Sequence, residues 1–448
     1  MRDKLASRLG FILLSAGCAI GIGNVWRFPY VTGQSGGALF VLVYFFFLAV
    51  LGLPVLVMEF ATGRAAQRSI VALHARLDPD HRAWRAHGVL GFVGNVVLMM
   101  FYTTVAGWMV LYFLKYLAAA PTDFGGMVSS PGEQIHAMVG VSVVSAAVCA
   151  FGVAKGLERV AKWMMLALLA LILVLAVNSC LLPGAGAGIR FYLVPDAAAF
   201  ARLREIGLGT TVVNAMNQAF FTLSLGIGAM SIFGSYIGKD RTLLGEAVNV
   251  VCLDTFVAIA AGFITIPASF AYNVEPGQGP GLIFVTLPKV FSSMPGGRWW
   301  GCLFFLFMSF AALSTVFAVF ETIIACLIDF TGWSRRRASI AVGVGLPLLS
   351  LPCVLGFNAW SAFQPFGKGS CVLDLEDFVV TDLLLPLGAL AFAIFCSHRY
   401  GWGWKGFVDE ANTGRGPKIT AGLRGYCAWV LPVIILTVFV IGLVRRFG

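Results

Sequence analysis

The stretch "GCAIGIGNVWRFPY", residues 17–30, decides how the rest of the chain is read. It lies inside an apolar run, yet it carries three glycines, an asparagine, an arginine and a proline. Each glycine inside a helix costs roughly 1 kcal/mol against alanine, and a mid-helix arginine costs more in an apolar surrounding. A counterpart, "SLGIGA", occupies residues 224–229 of a later apolar run. Paired glycines serve either close helix packing or a local break in the helix. The polar residues around both strings favour a break.

The surroundings fix what kind of helix is interrupted. The 448 residues are 59% hydrophobic and 12% charged, whereas soluble domains carry about 25% charged residues. Apolar runs of roughly 20 residues, enough to cross a hydrocarbon core of about 30 Å, recur from end to end. Eleven spans are expected, at 10–33, 38–62, 88–114, 135–153, 160–182, 209–236, 246–273, 299–328, 338–356, 375–397 and 422–444. The run after Met1-Arg2-Asp3-Lys4 is too long for a signal peptide and has no small-residue cleavage site, so it is expected to be retained. The two glycine strings fall five spans apart, so their spans run in opposite directions, as two inverted halves require.

Charge and cysteine usage exclude other classes. The net charge of +10 comes from Lys and Arg concentrated in the connections that lie inside if the N-terminus is cytoplasmic. That asymmetry orients a membrane protein and names no nucleic acid as partner. An odd span count leaves Arg445 and Arg446 on the outer, unfavoured side. The ten cysteines mostly fall within spans with no CxxC, which reads as small core hydrophobes. His74, His81, His87, His136 and His398 lie in loops or at span ends, and neither HExxH nor GxSxG occurs, so no enzyme is expected.

A broken helix exposes amides that suit an anion and carbonyls that suit a cation. In span one the amides near Ile22 and Gly23 and the carbonyls of Gly17, Ala19 and Ile20 would be freed, with Asn24 adding an oxygen. Span six contributes Thr222, Ser224 and the carbonyl of Phe221, span seven Asp254, and span eight the adjacent Ser314 and Thr315. These are oxygen ligands almost throughout, a set that fits an alkali cation better than a transition metal. Singly, each hydroxyl could as well bond the preceding turn.

"RLGFILLSAGCAIGIGNVWRFPY", "GVAKGLERVAKWMM", "FFTLSLGIGA" and "FAALSTVFAVFE" together resemble the neurotransmitter:sodium symporter family, most closely its short bacterial amino-acid members. The resemblance covers nearly the whole chain. It implies an all-α membrane protein of eleven helices with a 5+5 inverted repeat, the leucine-transporter-like fold, broken at helices one and six. The repeats would span 1–182 and 209–397, separated by an outer loop at 183–208 and followed by an inner loop and span eleven at 398–448. The implied activity is sodium-coupled uptake by alternating access in the bacterial inner membrane, the N-terminus cytoplasmic. A proton-coupled carrier of the same fold and a non-transporting amino-acid sensor or channel are the rivals.

Two sodium ions are implied, one at Ala19, Asn24, Thr222 and Asp254, the other at Gly17, Ile20, Ala311, Ser314 and Thr315. The substrate carboxylate would meet Tyr102, Ile22 and Gly23, and its ammonium the carbonyls of Ala19, Phe221 and Thr222. Cys18, Leu98, Tyr102, Phe221, Ser224, Ile227, Thr315 and Val319 would line the side-chain pocket. Arg27 and Asp377 would form an outer gate above a Tyr102–Phe221 lid; Arg2, Ser235, Tyr236 and Asp329 would form an inner one. Glu59 would brace the span-six break.

Three positions qualify the likeness. Gly21 stands where monoamine carriers have aspartate, which points to a substrate that brings its own carboxylate, a neutral hydrophobic or aromatic L-amino acid. Asp254 and Ala258 replace the asparagine and serine of chloride-dependent members, so transport without chloride is expected. Leu166 replaces a proline that helps span five unwind toward the inside.

Overall fold

A computed structural model describes residues 5, 7–120, 123–272 and 282–447. Among these residues, nine helices are long and apolar enough to cross a membrane, and a tenth span is a helix pair bent by 54°, Arg8–Ala19 with Gly23–Gln34. The nine are Ala38–Ala66, Trp84–Leu117, Pro131–Ala150, Glu158–Cys180, Leu243–Ala271, Gly297–Thr331, Arg335–Leu355, Val372–Ser397 and Leu423–Phe447. The eleventh expected span, number six, is present as two pieces, Leu208–Thr222 and Ala229–Gly234, neither long enough to cross alone. Both breaks fall at the two glycine strings.

The sequence explains why the chain yields at these places. In span six, Ser224, Gly226 and Gly228 take φ of 51°, 94° and 73°, left-handed values that end a right-handed helix. Gly226 also has no room for a side chain, since a Cβ there would meet the backbone of Leu385 and Ala389 in span ten. In span one the helix stops at Ala19, and the backbone resumes at Gly23–Arg27 as a turn with i→i+5 hydrogen bonds before Pro29 starts the outer half.

Two groups of helices surround the breaks. Spans three, four, eight and nine pack on one another, span three lying along span eight over much of its length. The inner piece of span six packs chiefly on span two, and that of span one lies among spans five, seven and eight. Span five is continuous through Met164, Met165 and Leu166, with Leu166 exposed, and an i→i+5 turn at Val153–Leu157 precedes it. None of the ten cysteines is in a disulfide, and seven are buried.

Span eleven accounts for the misplaced arginines of its end. Arg446 pairs with Asp382 at 3.4 Å and lies over the rings of Phe366 and Phe378, while Arg445 donates to Thr210 Oγ1 at 2.7 Å. Their charge is taken up locally, on the same end of the molecule as Arg27 and Asp377.

Gly226→Ala is expected to destabilise the protein by about 2 kcal/mol or more, through a strained φ and contact with span ten. Gly345→Ala, helical with open space around it, is expected to be neutral or mildly stabilising. Thermal melting of the detergent-solubilised variants checks the pair.

Candidate functional site

The freed backbone of both breaks is satisfied by side chains from neighbouring spans. At span six, Glu59 Oε1 accepts from the Gly226 amide at 2.5 Å, as expected of a brace, and Asn95 Nδ2 donates to the Ile227 carbonyl at 2.8 Å. At span one, Tyr102 Oη accepts from the Ile22 amide at 2.7 Å, and Gln218 Nε2 donates to the Gly23 carbonyl at 2.8 Å. Asn95 and Gln218 carry no motif that would single them out among membrane amides. Only the fold shows what they hold.

Asp254 is wholly buried in the middle of this region. Asn24 Nδ2 donates to its Oδ1 at 2.8 Å and to its carbonyl at 3.1 Å, and Thr222 Oγ1 donates to its Oδ2 at 3.0 Å. Asn24 Oδ1 in turn accepts from the Gly21 amide at 3.3 Å. Spans one, six and seven are thus joined through one carboxylate, and three of the four residues expected around the first cation meet there. The fourth, Ala19, lies on the wall of the adjoining pocket.

A second oxygen cluster lies deeper along span one. Ser314 Oγ donates to the carbonyls of Ile20 at 3.2 Å and Ala311 at 2.9 Å. Thr315 Oγ1 lies 3.3 to 3.4 Å from the carbonyls of Gly17, Cys18 and Ile20. Met165 of span five and Ser314 close on Gly17, within about a van der Waals contact of where its Cβ would be. All five residues expected around the second cation are therefore together. Among the described residues, no group of three or more His, Cys, Asp or Glu side chains offers a transition-metal site.

Between the clusters lies a small pocket. Its wall contains Cys18, Leu98, Tyr102, Phe221, Ser224, Ile227 and Thr315, as expected, together with Ala19, Gly21, Gly23, Val380 and Leu385. Val319 is buried on span eight but does not reach this wall. A Cβ on Gly21 would run into Tyr102 Oη and Thr315 Oγ1, so that position is kept bare by its neighbours. Val380 and Leu385 belong to span ten and carry no polar signal in the sequence.

Above the pocket lies a vestibule of about 570 Å³. Tyr102 and Phe221 belong to the walls of both, so they form the partition between them. Arg27 covers Phe221, its guanidinium 4.6 Å from the ring centroid, and lies 3.4 Å from Asp377 Oδ1 and 3.0 Å from Thr381 Oγ1. The outer pair is thus present, with Thr381 bridging it to Asp377 at 2.8 Å.

The inner side is described in part. Arg2 lies outside the described residues. Tyr236 Oη donates to Glu321 at 2.6 Å, and Glu321 pairs with Arg335 at 2.7 Å. Asp329 instead pairs with Arg68 at 3.1 Å and accepts from the amide and hydroxyl of Ser69 at 2.7 Å. Ser235 bonds its own turn at Ile232. Among the described residues, Tyr236 thus reaches Arg335 through Glu321, a buried carboxylate that needs a partner, and Asp329 reaches Arg68.

Broken helices meeting at mid-span, lined by oxygen ligands and closed on both faces by ion pairs, define a secondary transporter. A model of the sodium:neurotransmitter symporter family matches residues 2–125 and 122–446, and the chain belongs to that family. It is similar to the sodium-dependent transporter YhdH of Bacillus subtilis, 33% identical over 399 residues, covering 87% of this chain and 86% of that one. A sodium-dependent transporter of Haemophilus influenzae is 31% identical over 465 residues, covering 98% of each. Among solved structures, MhsT in complex with L-phenylalanine superposes with a TM-score of 0.89 at 36% identity, covering 98% of this chain and 100% of that one. The protein is a sodium-dependent symporter and a multi-pass membrane protein.

Removing the guanidinium should uncover the pocket from the vestibule side. Arg27→Ala is expected to raise the rate at which a small thiol reagent modifies the buried Cys18 several-fold. The same substitution combined with Cys18→Ala supplies the background of the other cysteines.

Proposed function

We propose that the protein takes up a neutral, hydrophobic or aromatic L-amino acid together with two sodium ions, by alternating access. The observation that carries this reading is the Asn24–Asp254–Thr222 cluster beside a pocket whose polar end is Tyr102 and the span-one backbone. A substrate carboxylate placed there would complete the coordination of one sodium, so substrate and ion would each require the other. The likeness to MhsT, whose structure holds L-phenylalanine, supports the substrate class. So does Gly21, which leaves no side-chain carboxylate to pair an amine.

The second sodium would lie among Gly17, Ile20, Ala311, Ser314 and Thr315, where carbonyls of span one face hydroxyls of span eight. There it would tie the moving pair of broken helices to the packed spans. Each sodium entering down about 100 mV contributes about 2.3 kcal/mol to uptake. The location that follows is the bacterial plasma membrane, with the vestibule outward and the N-terminus cytoplasmic. Arg27 and Asp377 would close over bound substrate while the networks of Asp329 and Glu321 part below.

Purified protein in liposomes, given an inward sodium gradient, is expected to concentrate a radiolabelled neutral amino acid such as phenylalanine or leucine. A proton gradient alone is expected not to. Uptake driven equally by protons would favour a proton-coupled carrier, and binding without accumulation would favour a sensor.

Asp254 supplies a fixed negative charge at the first sodium, so transport is expected to run without chloride. In Asp254→Asn that charge is gone, and sodium-driven uptake should fall sharply in chloride-free buffer. Unchanged uptake by Asp254→Asn without chloride would show that the carboxylate does not play this part.

A further inference from the structure

Span ten contains an anomaly that the gate does not use up. Residues Phe378–Leu384 follow the i→i+5 pattern of a π-helix, and the Leu385 amide donates to the Val380 carbonyl, five residues back. In an α-helix two residues five apart point roughly 140° away from each other, because successive residues turn by about 100°. Closing the bond at i+5 widens the turn and brings both onto one face. Such bulges recur at functional sites. Here Val380 and Leu385 both reach the wall of the pocket beneath the Tyr102–Phe221 partition, and both are buried.

The rest of the pocket explains what these two side chains do. The carboxylate and ammonium of a bound amino acid would be engaged by span-one and span-six backbone and by Tyr102. The aliphatic part of the remaining wall meets the side chain: Leu98 from span three, Ile227 from span six, and the span-ten pair, beside Phe221. The span-ten backbone is held firmly in place. A Cβ on Gly226 would meet the Leu385 carbonyl, and one on Gly388 would meet the Gly226 carbonyl, so the two chains touch backbone to backbone. A wall so anchored cannot retreat from a larger substrate. The same turn carries Asp377 and Thr381 of the outer gate, so the wall and the gate are one piece of helix.

We propose that the π-turn of span ten makes Val380 and Leu385 the residues that set the size of amino-acid side chain the pocket accepts. This rests on the amino-acid reading above. Val380→Ala and Leu385→Ala would enlarge the apolar end, and Val380→Leu would shrink it. One methylene more or less in an apolar pocket changes discrimination by about 10- to 200-fold.

The test is competition by glycine, alanine, valine, leucine, phenylalanine and tryptophan against one radiolabelled substrate, in sodium, on purified full-length protein. Leu387→Ala, exposed on the outside of the same span, is the control. The expected result is a change in rank. The tryptophan-to-leucine affinity ratio should rise about tenfold or more in the alanine variants and fall in Val380→Leu, with the control unchanged. Equal losses for all six amino acids, or an unchanged ranking in variants that melt like wild type, would overturn the proposal. Wild type that binds none of the six overturns the amino-acid reading itself, and the wild-type arm alone shows that failure. Should an alanine variant not fold, Val380→Leu decides by its own change in ratio.

Discussion

A helix that unwinds inside a bilayer releases amides and carbonyls that lipid cannot satisfy, and everything else in this protein follows from where those groups find partners. Glu59 and Asn95 hold the span-six segment; Tyr102 and Gln218 hold span one; Asp254 joins the two through Asn24 and Thr222. Each of these polar side chains is costly to bury alone. Each is repaid by a backbone group that would otherwise be stranded. The result leaves a few carbonyls and hydroxyls facing a common space, which is what a desolvated cation and a zwitterion require.

The same constraint links the site to the gates. Phe221 is the penultimate residue of the first helical piece of span six, so the ring that roofs the pocket is fixed by the position of the break. Arg27 lies in the turn that resumes span one, and it covers that ring while reaching Asp377 and Thr381. On the opposite face Asp329, near the end of span eight, meets Ser69 and Arg68, and Glu321, buried farther inside the same span, meets Arg335. Spans three, four, eight and nine provide the packed body against which the broken helices can tilt. Switching access would part the Arg27–Asp377 pair on one face and the pairs of Asp329 and Glu321 on the other, while the Asp254 cluster stays whole.

Much of this was legible in the sequence because it is written in residue types that membranes exclude. Glycines, Asn24, Arg27, Asp254 and the hydroxyl pair Ser314–Thr315 stand out against an apolar background, and all fall where the structure uses them. The eleven spans were visible by length, although span six resolves into two pieces because its glycines take left-handed φ. Other features gave no signal. Val380 and Leu385 look like any lipid-facing aliphatics, and only the i→i+5 turn directs them inward. On the inner side, Glu321 and Arg335 are ordinary charges in sequence and show their pairing only in the fold. Arg445 and Arg446, which sit awkwardly with the charge rule, make sense only beside Asp382 and the rings of Phe366 and Phe378.

The central claim is that ion and substrate share one site, so their affinities must be linked reciprocally. Equilibrium binding of a neutral amino acid to the purified protein, titrated with sodium against potassium at constant ionic strength, tests it most directly. The account predicts that the dissociation constant falls steeply as sodium replaces potassium, and that substrate tightens sodium binding by the same factor. A dissociation constant that is the same in potassium as in sodium would contradict it.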